Sequence, residues 1–168
     1  EVIKVFSKGR RIQQSTFSKI LTSSKQPISP YILNFLAKEN DVYVKIFCYR
    51  LLTNLPIQDE ISDESFKDIE ANNLDLRIAV LHYLAHSKID GIEHILTKNL
   101  DNIDWQISAT SAKLLGQLKV TSSVKQLAKK LNDPQWWVRI NAAQALTQLG
   151  PDGVETLQSI TPEIDRFA

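Results

Sequence analysis

The chain of 168 residues is poor in several residue types, and each scarcity excludes a class of protein. Its one cysteine, Cys48, has no second cysteine to pair with, which favours a reducing cytoplasm over secretion. Its five glycines form no phosphate-binding motif, so nucleotide binding has no support in the sequence. No apolar run approaches the roughly 20 residues of a membrane-spanning helix, and no signal peptide is recognisable.

Methionine is absent, and the chain begins with Glu1. We therefore expect a fragment or a processed product of a longer protein. Residues 162–168 resemble the opening of another helix, and no polar segment closes the chain. Because a helical repeat array without a polar cap leaves an apolar face exposed, we expect further repeats or a capping element after Ala168.

Strand signals are also absent, because no stretch alternates apolar and polar residues and no hairpin dipeptide occurs. The chain instead repeats an apolar pattern at offsets of 0, 4, 7 and 8 residues, which places its members on one helix face. The pattern occurs four times, at intervals of 31 or 32 residues. Its members are Val44, Cys48, Leu51 and Leu52; Leu76, Val80, Tyr83 and Leu84; Ile107, Ser111, Leu114 and Leu115; and Val138, Ala142, Ala145 and Leu146.

The second position of this pattern never carries a large side chain, so these helices must approach their neighbours closely. Shorter amphipathic segments lie between the patterns and predict a second helix for each repeat, with apolar residues such as Phe66 and Val154 packed inward. Ser29-Pro30 and Asp133-Pro134 predict two helix starts, each with a polar cap and a proline at the first helical position. The predicted fold is all-α, an α-α superhelix, or α-solenoid, of about five helix pairs.

The last repeat resembles a HEAT repeat, in particular the bacterial HEAT-like type first associated with phycobilisome lyases. The residues that carry the resemblance are Asp133, Val138, Arg139, Ala142, Ala143, Ala145 and Leu146. The resemblance is strong over residues 73–160 and weaker before them, and it implies an α-solenoid with a binding role rather than a reaction. In that family an aspartate and an arginine six positions later commonly link adjacent repeats. The matching pairs in the earlier repeats depart from this pattern: Glu39 with Lys45, Ala71 with Arg77, and Asn102 with Ser108.

Charge is distributed unevenly along the chain, although the net charge is only +1. Residues 1–55 have a balance of +6, and the rest of the chain has −5. We expect residues 1–12 to be a basic segment that lies next to a membrane anchor. We expect residues 13–168 to be the HEAT-like array. The cations that would contact an anionic membrane surface are Lys4, Lys8, Arg10 and Arg11.

The function predicted from these features is a non-catalytic scaffold that binds another protein. In HEAT arrays the second helices usually line the concave side, so their exposed charged residues are the candidate contacts, with one tryptophan at the edge. The candidate partner-binding residues are Glu93, Lys98, Lys125, Lys129, Lys130 and Trp137. We expect Arg139 to bond to Asp133 or to a neighbouring repeat rather than to a partner.

The resemblance to HEAT-like proteins suggests two alternative functions. HEAT-like alkylpurine DNA glycosylases bind nucleic acid through a basic groove with aromatic side chains, and Trp105, Trp136 and Trp137 lie near the lysines here. Because the chain after residue 55 sums to −5, nucleic acid is not the expected partner, and we expect the tryptophans to pack rather than stack on bases. The lyase resemblance alone suggests an accessory role in chromophore attachment.

Catalysis and cofactor binding have little support. His82 and His86 lie one helical turn apart, with Glu93 or His94 as a further possible ligand, but this spacing is a weak metal signal and we expect no metal or cofactor. No catalytic set is recognisable, so an enzyme is not expected. The acidic run Asp59, Glu60, Asp63, Glu64, Asp68 and Glu70 is interpreted as a solvated helix face.

Overall fold

The computed structural model describes residues 2–9, 11–23, 27–56 and 61–164, without the side chains of residues 11, 12 and 160–164. These ranges form eleven α-helices and one 3-10 turn and contain no strand, so the predicted all-α fold is confirmed. The helices are α1 (Val2–Ser7), α2 (Arg11–Thr22), α3 (Ser29–Leu36), α4 (Val42–Thr53), α5 (Asp63–Asp68), α6 (Leu74–Ser87), α7 (Ile92–Asn99), α8 (Trp105–Gln117), α9 (Val124–Lys130), α10 (Trp136–Gln148) and α11 (Pro151–Ile164).

The helices follow the order expected for about five pairs: α2, α4, α6, α8 and α10 are the first helices, and α3, α5, α7, α9 and α11 are the second helices. The chain divides into a first unit, Glu1–Lys88, and a second unit, Ile89–Ala168. In the first unit α4 packs against α6, and in the second unit α8 packs against α10. Contacts between first helices of neighbouring repeats are those of a HEAT-type α-solenoid.

The repeated apolar pattern forms the core, because all of its sixteen members are buried. The predicted close approach is seen between α8 and α10, where a Cβ added to Gly116 would lie 2.6 Å from Cα of Ala145. The pattern also buries Ser111, whose Oγ has no hydrogen-bond partner among the described residues. The apolar residues of the second helices are less completely buried than expected, since Phe66 and Val154 are exposed.

Ser29 and Asp133, which precede prolines, were predicted to cap α3 and α10, and both predictions are wrong. Helix α10 begins at Trp136 with Gln135 as its N-cap, because Oδ1 of Asp133 accepts a hydrogen bond from the Gln135 backbone amide at 2.9 Å and forms a turn before the helix. Helix α3 includes Ser29, and Ile28 precedes it without a side-chain cap.

The predicted link at Arg139 exists, but it uses a carbonyl rather than a carboxylate. Arg139 Nη1 donates to the backbone oxygens of Asp133 and Pro134 at 3.0 and 3.2 Å. These carbonyls lie in the linker between α9 and α10, whereas the equivalent residues of two earlier repeats donate to a carbonyl at the end of the preceding second helix. These bonds are Arg77 Nε to Ile69 O at 3.1 Å and Ser108 Oγ to Leu100 O at 2.6 Å. Such bonds satisfy carbonyls that the helix itself leaves unpaired.

The fourth equivalent residue, Lys45, instead forms a buried ionic cluster with α5. Its Nζ lies 2.8 Å from both Glu64 Oε1 and Asp68 Oδ1, and Tyr49 Oη donates to Asp68 Oδ2 at 2.7 Å. Glu39, which the family pattern pairs with Lys45, contacts Lys4. The interpretation of the acidic run as solvated is therefore wrong for Glu64 and Asp68, while Asp59 and Glu60 lie outside the described residues.

The ionic cluster shifts the pKa values of its members. Burial opposes the charged form of Lys45, but the hydrogen bonds to Asp68 and Glu64 outweigh it and raise the pKa of the ammonium. The hydrogen bond from Lys45 lowers the pKa of Glu64. Burial raises the pKa of Tyr49, so its hydroxyl keeps its proton and remains a donor to Asp68.

Replacing the central cation of the cluster should destabilise the protein strongly. We expect Lys45→Met to lower the free energy of unfolding by about 3 kcal/mol, because it leaves Asp68 buried without a counterion. Lys67→Met is the matched control, because the Lys67 side chain is exposed and its Nζ lies 3.5 Å from Glu64, a longer contact than that of Lys45. This variant should lower the free energy of unfolding by less than about 1 kcal/mol. Urea unfolding followed by circular dichroism measures both, and equal losses would contradict the central role of Lys45.

Acid should reduce the difference between the wild type and Lys45→Met. The lowered pKa of Glu64 means that its contribution is complete above the unfolded-state value, about 4.3, and is lost as pH falls through the folded-state value. The Met variant lacks this contribution. Urea unfolding at pH 6 and pH 3 should therefore show a smaller stability gap at pH 3. A gap that stays constant would mean that the ion pair between Lys45 and Glu64 does not account for the loss of stability.

Two substitutions on α8 should change stability in opposite directions. Gly116→Ala should destabilise the protein by about 1–3 kcal/mol, although alanine favours helices, because its Cβ would collide with the backbone at Ala145. Ser111→Ala should stabilise it by about 1 kcal/mol, because it removes a buried hydroxyl without a hydrogen bond. Thermal unfolding of both variants tests the expectation, and a stabilising Gly116→Ala would show that α8 and α10 can separate without cost.

Candidate functional site

The predicted partner-binding residues lie on α7, α9 and the start of α10, all within the second unit. Helix α7 buries Ile92 and Leu96, which leaves Glu93 and Lys98 exposed. Helix α9 buries Leu127, and the lysines on either side of it point away from that core position. The amphipathic spacing seen in the sequence thus places these charges on the second helices, as expected.

Two of the lysines on α9 form an exposed cationic pair. Lys125 and Lys129 are both exposed, and neither forms an ion pair with a described residue. They lie four residues apart, so like charges face each other on one side of the helix and repel. An acidic group placed between them would relieve this repulsion.

Lys130 does not belong to this exposed surface, and its predicted exposure is wrong. Only 16% of its side chain is exposed, and its Nζ lies 2.7 Å from Asp101 Oδ1 and 3.7 Å from Asp133 Oδ2. Lys130 therefore joins the end of α9 to the segments that precede α8 and α10. Its main partner lies 29 residues earlier in the chain, beyond the reach of helical spacing.

Apolar side chains are exposed near the starts of α8 and α10. Trp136 and Trp137 contact each other edge to face, with ring centroids 4.6 Å apart, yet 51% and 55% of their surfaces are exposed. Ile103, on the segment before α8, is 98% exposed. Trp137 could be predicted from the sequence as a partner contact and Ile103 could not, because a single apolar residue outside a helical pattern carries no recognisable signal.

His82 and His86, the histidines of the weak metal signal, and the single cysteine lie on packed helices of the first unit. The His86 Nε2 atom lies 2.9 Å from the backbone oxygen of Leu55, within hydrogen-bond distance. Within the described ranges, no three His, Cys, Asp or Glu side chains converge as metal ligands would. Burial raises the pKa of Cys48 to about 12, so its thiol is protonated at neutral pH and is a poor nucleophile.

The basic N-terminal segment packs on the first unit through α1. Lys4 Nζ forms an ion pair with Glu39 at 3.0 Å, and the Phe6 ring stacks on Phe17 at 4.2 Å. Lys8 is exposed, whereas Arg10 and the side chain of Arg11 lie outside the described residues. Among the helices that the structure describes, none combines the length and apolarity needed to cross a bilayer. Membrane binding by this segment, and the domain boundary after residue 12, stay predictions.

Comparison with known proteins agrees with the repeat architecture. Residues 92–163 match a family model described as HEAT repeats. The match runs from the first residue of α7 into α11, and it therefore includes every candidate partner-binding residue. A search of the curated proteins finds no match to the chain.

Proposed function

We propose that this chain, which belongs to the HEAT repeat family through residues 92–163, acts as a non-catalytic scaffold that binds another protein. HEAT repeats generally mediate interactions between proteins, because stacked helix pairs present an extended surface. The observation that carries the proposal is the exposed cationic pair of Lys125 and Lys129, whose mutual repulsion an acidic partner would relieve.

The proposed partner-binding surface consists of Glu93, Lys98, Lys125 and Lys129, with Trp137 as an aromatic contact at its edge. Lys130 adjoins this surface and stabilises it through its ion pair with Asp101, which lies on the segment before α8. Complementary charge speeds encounter and selects the partner more than it sets the affinity. A half-exposed tryptophan adds apolar contact area, and tryptophan is among the residue types that most often dominate the binding energy of protein interfaces.

A protein partner suits this surface better than nucleic acid does. Affinity for phosphates grows with the number of cations that contact them. Lys130 is neutralised by Asp101. The surface then has three lysines that form no ion pair with a described residue, beside Glu93. Three cations and one acid favour a protein with a small acidic patch over a phosphate backbone.

A pair of charge-matched double variants tests the proposal. Lys125→Glu with Lys129→Glu should abolish capture of a specific protein from lysate of the source organism. Lys113→Glu with Lys119→Glu makes the same charge change at exposed sites on and after α8, and it should retain capture. The captured protein is identified by mass spectrometry. With that protein purified, the first double variant should raise the Kd about tenfold or more.

Two outcomes would contradict the proposal. If both double variants capture the protein as the wild type does, the second-helix surface is not the binding site. If nuclease treatment removes everything captured, the chain binds nucleic acid instead. Equal thermal stability of the two double variants is the control that separates lost binding from lost folding.

A further inference from the structure

A second polar surface lies on the first helices of the first unit, far in sequence from the proposed partner-binding surface. A cleft of about 700 Å³ separates α2 from α4. Its lining residues are Gln14, Ser15, Ser18 and Lys19 from α2, and Phe47, Arg50, Leu51 and Asn54 from α4. The rings of Phe17 and Phe47 stack at 6.2 Å and hold the two helices together beside it.

A smaller cleft of about 380 Å³ follows on the other side of α4, between α4 and α6. Arg50 and Asn54 line both clefts. On α6 the lining residues Asp75, Ile78, Ala79 and His82 fall on one helix face. The two clefts therefore adjoin along an exposed ridge of α4 at which Arg50 stands.

The charges of the clefts are not neutralised within the described residues. The larger cleft is lined by Lys19 and Arg50 and by no acid, and neither cation forms an ion pair with a described residue. The acids of the first unit that form ion pairs, Glu39, Glu64 and Asp68, contact Lys4, Lys45 or Lys67. The one acid of the clefts, Asp75, lines only the smaller cleft. Charge complementarity thus favours an acidic occupant at the larger cleft.

The dimensions favour a peptide over a small anion. Helices α4 and α6 pack directly and so lie about 8–10 Å apart, while α2 lies across the larger cleft from α4, so a path from α2 across α4 to α6 is at least about 16–20 Å long. An extended chain advances about 3.3 Å per residue, and about six residues cover this distance. Hydroxyl and amide side chains on both sides, such as Ser18 and Asn54, can bond to a peptide backbone.

We propose that the two clefts form one groove that binds an extended acidic peptide segment, with carboxylates held by Lys19 and Arg50. This site is separate from the surface proposed on α7 and α9. The groove uses first helices, and its ligand is a short segment rather than a folded surface.

Fluorescence anisotropy with labelled hexaglutamate and the full chain tests this proposal. The wild type should bind hexaglutamate and should not bind labelled hexaglutamine. Arg50→Glu and Lys19→Glu should each raise the Kd for hexaglutamate about tenfold, because each replaces an attraction by a repulsion. Lys38→Glu is the matched control, an exposed lysine of the same unit outside the groove, and it should change the Kd less than about twofold.

Three outcomes would overturn the proposal: equal binding of hexaglutamate and hexaglutamine, equal weakening by Lys38→Glu, or loss of binding only in the Lys125→Glu and Lys129→Glu double variant. The last result would place acidic peptides on the second unit, and it would leave the proposed function intact. If Arg50→Glu melts at a lower temperature than the wild type, Arg50→Gln replaces it and should raise the Kd about threefold.

Discussion

The close approach of neighbouring first helices is the constraint on which the rest of the structure depends. In the second unit Gly116 of α8 meets the backbone at Ala145 of α10 with no room for a side chain between them. Two helices in such contact bury their apolar pattern completely, and the second helices then need to cover less apolar surface. This explains why α5, α7 and α9 are short, and why they can present so many charged side chains to solvent.

Polar links join the second helix of one repeat to the first helix of the next, and they occur at one recurring position. Arg77 and Ser108 each donate to a carbonyl at the end of the preceding second helix, and Arg139 donates to carbonyls of the linker that follows α9. An arginine and a serine serve alike because the acceptor is backbone, which is the same in every repeat. Lys45 departs from this role because α5 offers it two carboxylates, and a charged acceptor forms a stronger hydrogen bond than a carbonyl.

The apolar core could be predicted from the sequence and the polar interactions could not, for a physical reason. Burial follows from helical periodicity, which is local, so every member of the repeated pattern was correctly placed. The partners of Lys45 and the main partner of Lys130 are 19 to 29 residues away, and only the packed fold brings them together. The start of α10 was misplaced because Asp133 has two ways to accept a backbone amide, and the turn prevailed over the cap.

Net charge along the sequence is therefore a poor guide to the surface of this protein. The part of the chain after residue 55 carries −5, yet α9 presents an exposed pair of lysines that form no ion pair with a described residue. The part before it carries +6, yet Lys4 and Lys45 are both held in ion pairs. What a partner meets is the charge that remains after internal pairing. In the first unit that remainder includes Lys19 and Arg50 on first helices, and in the second unit it includes lysines on second helices.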